Sequence, residues 1–161
     1  MWEIIQQLCE DIRGNLTVYE AVVLMMTALG SLRCHDKSRV IPVGYSMLLI
    51  LYITLLRRTP EYNEEIRYHI SFLPDVKVWT GNLLNVILYI PLGGTIYNMA
   101  ASIKGTAFAA LLSSVLCEII QYFTHRGVAD INDVLFNLIG ACAGALLFRA
   151  FRAFKKKKDL Q

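Results

Sequence analysis

Residues 106–123 read Thr-Ala-Phe-Ala-Ala-Leu-Leu-Ser-Ser-Val-Leu-Cys-Glu-Ile-Ile-Gln-Tyr-Phe, and Glu118 is the only charged side chain in that run. A surface helix of a soluble bundle keeps a polar, charged face toward water; this stretch has none to offer. Four more stretches share its character, at 17–32, 40–56, 82–103 and 132–148. Together the five occupy more than half of the 161 residues, and only Glu20, Glu118 and Asp133 in them are charged. Whole-chain composition agrees: 55% hydrophobic, 18% charged and a mean hydropathy of +0.45, against roughly 25% charged residues in soluble domains. A bilayer core about 30 Å thick needs about 20 apolar residues as helix, with ~17 as a working minimum. Four of the stretches meet that bound, while 17–32 is short and holds Glu20. The sequence therefore predicts an all-α, polytopic membrane helical bundle of about five transmembrane helices in a single domain. A soluble enzyme or a nucleic-acid binder is excluded on the same grounds.

The flanks set orientation. Six basic residues follow the last stretch, Arg149, Arg152 and Lys155 to Lys158, and the positive-inside rule places such a C-terminal tail (149–161) in the cytoplasm. Counting back through five spans puts ten Lys/Arg inside and six outside, with the N-terminus extracellular. If 17–32 only dips into the membrane, the N-terminus is cytoplasmic and the rest is unchanged. The lysine run reads first as a topology anchor and second as an anionic-lipid contact. Residues 1–16 lack the basic region of a signal peptide and place Trp2, Ile5, Leu8, Cys9 and Ile12 on one helical face. That pattern suits an amphipathic helix lying in the interface or packing over one end of the bundle. The connector 57–81, rich in aromatic residues and prolines, reads as a lid or an interfacial segment. Cysteines 9, 34, 117 and 142 show no CxxC spacing, so neither a disulfide framework nor a metal or other cofactor is expected.

Polar residues inside a membrane are costly unless partnered, and so they mark function. Short connectors at Lys104–Gly105 and 124–131 make the last three spans antiparallel neighbours. With a rise of about 1.5 Å per residue, Asn82 and Asn85, Glu118 and Gln121, and Asp130, Asn132, Asp133 and Asn137 then fall in one leaflet, the outer one. Glu20 joins them if 17–32 crosses, and the inner halves hold no comparable residue. Asp133, Asn137, Gly140 and Gly144 form a single helical stripe, and the Gly140–Gly144 pair admits the backbone of a neighbouring helix or of a partner membrane protein. Asp130 suits an N-cap, with Asp133 on the positive end of the helix dipole. The picture is an acidic-amide pocket roofed by Arg126 and Arg67, with Pro91 opening its span near the pocket floor. The bland alternative makes Asp130 and Asp133 caps, Glu118–Arg126 an ion pair and Asn85 an interhelical hydrogen bond.

The elements Asn85-x5-Pro91-x-Gly93, Glu118-x2-Gln121, Arg126-Gly127, Asp130-x2-Asp133 and Asn137-x2-Gly140 together resemble the VanZ-like family, over about residues 67–148. Arg67 with Phe72-Leu73-Pro74 matches the family's arginine element only loosely, and the first forty residues carry no alignable signal. The resemblance implies a bacterial cell-membrane protein of the kind linked to teicoplanin and lipoglycopeptide resistance.

Two functions compete. In the first, a non-enzymatic envelope protein lowers glycopeptide action through an outer-leaflet pocket of Arg67, Asn85, Glu118, Gln121, Arg126, Asp130, Asp133 and Asn137. The pocket would hold a membrane lipid, a lipid-linked cell-wall precursor or the lipoglycopeptide drug, with the arginines meeting phosphate. In the second, an enzyme or transporter acts on a lipid-linked envelope substrate, with Glu118 or Asp133 as catalytic acid–base group. An accessory subunit docking through Gly140 and Gly144 is a third possibility.

Overall fold

The computed structural model describes residues 6, 18–33, 39–56, 66–67 and 76–158. The expected amphipathic helix at 1–16 and most of the 57–81 connector lie outside the described residues, and the last part of that connector, 76–81, is helix rather than lid or interfacial segment. The fold is all-α: α1 (Val18–Arg33), α2 (Val40–Leu51) continuing as a π turn (Tyr52–Leu56), α3 (Val76–Ala100), α4 (Ile103–Thr124) and α5 (Ile131–Lys158). Two short strands, β1 (Ile66–Arg67) and β2 (Ala129–Asp130), pair in parallel. Among the described residues, three helical segments are long and apolar enough to cross a membrane, Trp79–Ala100, Ile103–Thr124 and Ile131–Lys155. At about 1.5 Å per residue the shortest of these is roughly 33 Å long. The 40–56 segment is apolar but shorter, and α1 has 16 residues.

Burial runs opposite to that of a soluble bundle. Gln121, Thr95, Thr106 and Ser114 are among the most deeply buried side chains, whereas Phe108, Leu112, Ile119, Phe123, Leu146 and Leu147 face outward. Polar groups inside and apolar groups outside is the distribution a lipid solvent imposes, because the acyl chains cannot hydrogen-bond. The apolar core gathers Leu24, Ile50, Leu88, Tyr89, Leu92 and Ile96 from α1, α2 and α3. Central α3 continues as helix through Pro91, which has no N–H, so the Ile87 carbonyl lacks that partner in the helical ladder.

The glycine stripe is occupied from within. A Cβ on Gly140 would run into the Val86 carbonyl, one on Gly144 into the Ile90 carbonyl, and one on Gly93 into the Ala141 carbonyl. α3 and α5 are thus in backbone contact along this seam, the approach that small residues permit. The expectation that Gly140 and Gly144 serve a partner protein is corrected accordingly, since α3 of the same chain fills that face.

Two boundaries also move. α3 ends at Ala100, and the turn is Ala101–Ser102, with Ala101 left-handed at φ 51°. Ser102 accepts the Gly105 N–H at 3.1 Å, a side-chain N-cap that draws Lys104 and Gly105 into the first turn of α4 rather than leaving them as connector. At the other end, α5 carries the basic tail on as helix to Lys158.

Candidate functional site

The polar residues singled out in the sequence converge at one end of α3, α4 and α5. Asp130 lies immediately before α5 and accepts the Asn132 N–H at 2.8 Å and the Asn132 side-chain amide at 2.9 Å. It is the N-cap expected, and it orients the first turn so that Asp133 faces α3. There Asn85 Nδ2 donates to Asp133 Oδ1 at 2.7 Å. Glu118, buried on α4, accepts the backbone N–H of Asp130 at 2.9 Å. The acidic residue of one helix thereby fixes the entry into the next.

One turn deeper on α5, Asn137 is buried and donates to Ser114 Oγ at 2.9 Å. Ser114, Glu118 and Gln121 share one face of α4, spaced i, i+4 and i+7. Gln121 Nε2 donates to the Thr54 carbonyl at 3.4 Å. The Arg126 guanidinium donates to the Leu55 carbonyl at 3.2 Å and the Leu56 carbonyl at 3.5 Å. Both side chains meet carbonyls at the end of the π turn, where a helix carries negative partial charge that suits a cation. α4 is C-capped by His125, left-handed at φ 53°, with the Arg126 N–H returning to the Gln121 carbonyl at 3.1 Å. That turn is what points Arg126 back across the bundle to α2.

Arg67 arrives by a different route. β1 pairs with β2 so that Arg67 is opposite Asp130 and Ile66 opposite Ala129. Its side chain is exposed, so this arginine stands at the mouth of the cluster. All eight residues expected at the site, Arg67, Asn85, Glu118, Gln121, Arg126, Asp130, Asp133 and Asn137, are within this one end. Among the described residues, no group of three His, Cys, Asp or Glu side chains is placed to hold a metal ion.

Sequence reasoning missed four participants. Ser114 follows from the phase of Glu118 and Gln121, but a mid-span serine attracts no notice without its partner. Thr54 and Leu55 contribute carbonyls, which carry no side-chain signature. Tyr89, buried on α3, has its hydroxyl in the neighbourhood of Ser113, Ser114 and Cys117. Its hydroxyl, Asn137 Oδ1 and Gln121 Oε1 are all buried with no hydrogen-bond partner among the described residues. Buried polar atoms are ordinarily satisfied, so these three atoms are where the floor of the cluster retains hydrogen-bonding capacity.

The family model described as VanZ/LLP1 matches residues 16–152. The chain belongs to the VanZ/LLP1 family. That match takes in the first four helices, both strands and α5 as far as Arg152, and it reaches upstream into α1 and α2, where the motif elements of the sequence gave no footing. Neither a curated protein nor a solved structure matches the chain. Asn85, Glu118, Gln121, Asp130, Asp133 and Asn137, which carried the resemblance, all make the hydrogen bonds described at this end.

Proposed function

We propose that this VanZ/LLP1 protein sits as a multi-pass protein in a bacterial cell membrane, C-terminus in the cytoplasm, and lowers susceptibility to teicoplanin and related lipoglycopeptides without catalytic turnover. The observation that carries this reading is the polar cluster at one end of three membrane-length helices, joined by the Asn85–Asp133 and Glu118–Asp130 hydrogen bonds. With the basic tail inside, that end faces the outer leaflet, where a lipoglycopeptide's acyl chain and the precursors it binds are both found. Arg67 and Arg126 supply cationic donors suited to phosphate. The buried amide oxygens of Gln121 and Asn137 accept hydrogen bonds from hydroxyl or amide groups. Such a set fits the head of a membrane lipid, of a lipid-linked cell-wall precursor, or the drug's polar core.

Binding is favoured over acid–base chemistry by what the carboxylates already do. Glu118 Oε2 orients the α5 entry and Asp133 Oδ1 holds Asn85, so both act as fixed acceptors. The test is teicoplanin and vancomycin susceptibility in a Gram-positive host expressing wild type or Glu118→Gln at equal membrane abundance. The expected result is a selective rise in teicoplanin tolerance with wild type, partly retained in the variant because a glutamine oxygen still accepts the Asp130 N–H. Complete loss with a well-inserted variant points instead to an acid–base role. No tolerance with wild type removes the resistance reading.

A further inference from the structure

The opposite end of the bundle carries a second polar assembly, built from cations. Asn98, buried near the end of α3, accepts Arg39 Nη1 at its backbone carbonyl (3.2 Å) and Arg152 Nη2 at its side-chain oxygen (2.9 Å). Arg39 opens α2 and Arg152 belongs to α5, so one asparagine joins two helix ends through two guanidinium groups. The Arg152 guanidinium also lies over the Phe148 ring, 5.4 Å from its centroid, and Tyr97 meets that ring edge-on at 6.4 Å. The sequence reading that the inner halves hold no notable polar residue overlooked Asn98.

Charge is segregated between the two ends. Glu118, Asp130 and Asp133 lie in the outer cluster, and Glu20 stands at the end of α1 away from the connector leading to Arg39. Arg39 and Arg152 contact Asn98, and Lys104, Arg149, Lys155, Lys157 and Lys158 belong to the same ends of α4 and α5 in the chain. Arg149, Arg152 and Lys155 follow at i, i+3 and i+6, on one side of α5. Depth matters as much as sign. From Ile131, a helix rising about 1.5 Å per residue covers a core of about 30 Å by residue ~150. Arg149 and Arg152 thus emerge at headgroup depth, while Lys157 and Lys158 stand roughly 10 Å farther into water.

We propose that Arg39 and Arg152, positioned by Asn98 and flanked by Arg149, form a site for the phosphate of an anionic lipid headgroup in the inner leaflet. Guanidinium groups recognise phosphate through forked, charge-assisted hydrogen bonds, and two of them fixed at phosphate depth are preorganised for it. This inference rests on the membrane orientation proposed above and is independent of the drug-related reading.

The test uses the full chain in nanodiscs of phosphatidylcholine with a minor fraction of phosphatidylglycerol, reading retained lipid by native mass spectrometry. Wild type is expected to retain phosphatidylglycerol selectively, and Arg39→Gln with Arg152→Gln to lower that enrichment about tenfold or more. Arg39→Lys with Arg152→Lys keeps both charges and loses the forks, so it too should lose most of the enrichment. Lys157→Gln with Lys158→Gln removes as much charge and should change it less than about twofold. Equal losses from the tail-lysine and arginine pairs, or full retention by the lysine-for-arginine pair, would mean diffuse surface charge and overturn the site. Displacement of the lipid by millimolar inorganic phosphate would assign the site to free phosphate. Failure of wild type to enter nanodiscs at all would overturn the membrane reading itself.

Discussion

The seam between α3 and α5 and the inner face of α4 hold the same bundle together by opposite means. Along the seam, Gly93, Gly140 and Gly144 bring backbone against backbone, with no room for a single added carbon. Across the face of α4 the ties are side-chain hydrogen bonds: Ser114 to Asn137, Glu118 to the Asp130 N–H, and Gln121 to the Thr54 carbonyl. The difference follows from the solvent. In lipid, helices gain little from burying apolar surface against each other, so association rests on close packing or on polar pairs. The seam uses the first along its glycines, with the Asn85–Asp133 hydrogen bond added at one end. α4 uses the second, which is why Ser114, Glu118 and Gln121 are gathered, buried, on one of its faces.

The sharpest way to break this contrast is to widen the seam. Gly144→Val would drive side-chain atoms into the Ile90 carbonyl and the Gly94 nitrogen, and backbone cannot yield as a side-chain tip can. A loss of about 3 kcal/mol or more is expected, read as a collapse of membrane abundance and of the melting temperature in detergent. Gly44→Ala, which meets no atom within 4 Å, is the control and should leave both intact. A Gly144→Val protein as stable as wild type would show that α3 and α5 are not in backbone contact.

On the polar side, Asp133→Ala removes the acceptor of Asn85, leaving a part-buried amide donor without it. The expected cost is about 1–3 kcal/mol, and Asp133→Asn, which retains an oxygen, should cost less. A double-mutant cycle with Asn85→Ala checks that the two residues act through each other. Coupling near zero would mean that the bond adds nothing in the membrane. Ser114→Ala should cost less still, about 0.6–2 kcal/mol, because it takes from Asn137 a single neutral hydrogen bond. Melting measurements on Ser114→Ala and Asn137→Ala, singly and together, give that figure directly.

How much of this was legible in the sequence follows from how local each feature is. The membrane-length helices, the glycine stripe and the Asp130 cap depend on residues within a few turns of each other, and hydropathy or helical phase reveals them. The gathering of polar residues at one end was legible too, since short connectors leave α3, α4 and α5 little choice of neighbour. What the sequence withheld is carried by distant backbone. Arg126 and Gln121 reach carbonyls some seventy positions away at the π turn, and a carbonyl has no residue identity to read. Ser102 shifted the α3–α4 turn because a capping hydroxyl outcompeted hydropathy at the boundary. Asn98 was hidden by its setting: a lone amide near a span's end acquires meaning only when Arg39 and Arg152 fold onto it.

Arg67 gives the smallest structural effect and the cleanest separation of structure from function. It is exposed, and what places it is the pairing of its backbone with β2 opposite Asp130. Backbone pairing survives replacement of the side chain, so Arg67→Ala should leave the melting temperature within the change that about 0.5 kcal/mol produces. If the outer end works by holding a phosphate-bearing head, the same variant should still lose part of the teicoplanin tolerance conferred by wild type, and Arg67→Lys should restore much of it, since a mouth residue acts mainly through charge. Melting and tolerance falling in step would make Arg67 one more tie in the bundle. Tolerance unmoved by either variant would remove Arg67 from the working surface and leave the site to Arg126 and the amides beneath it.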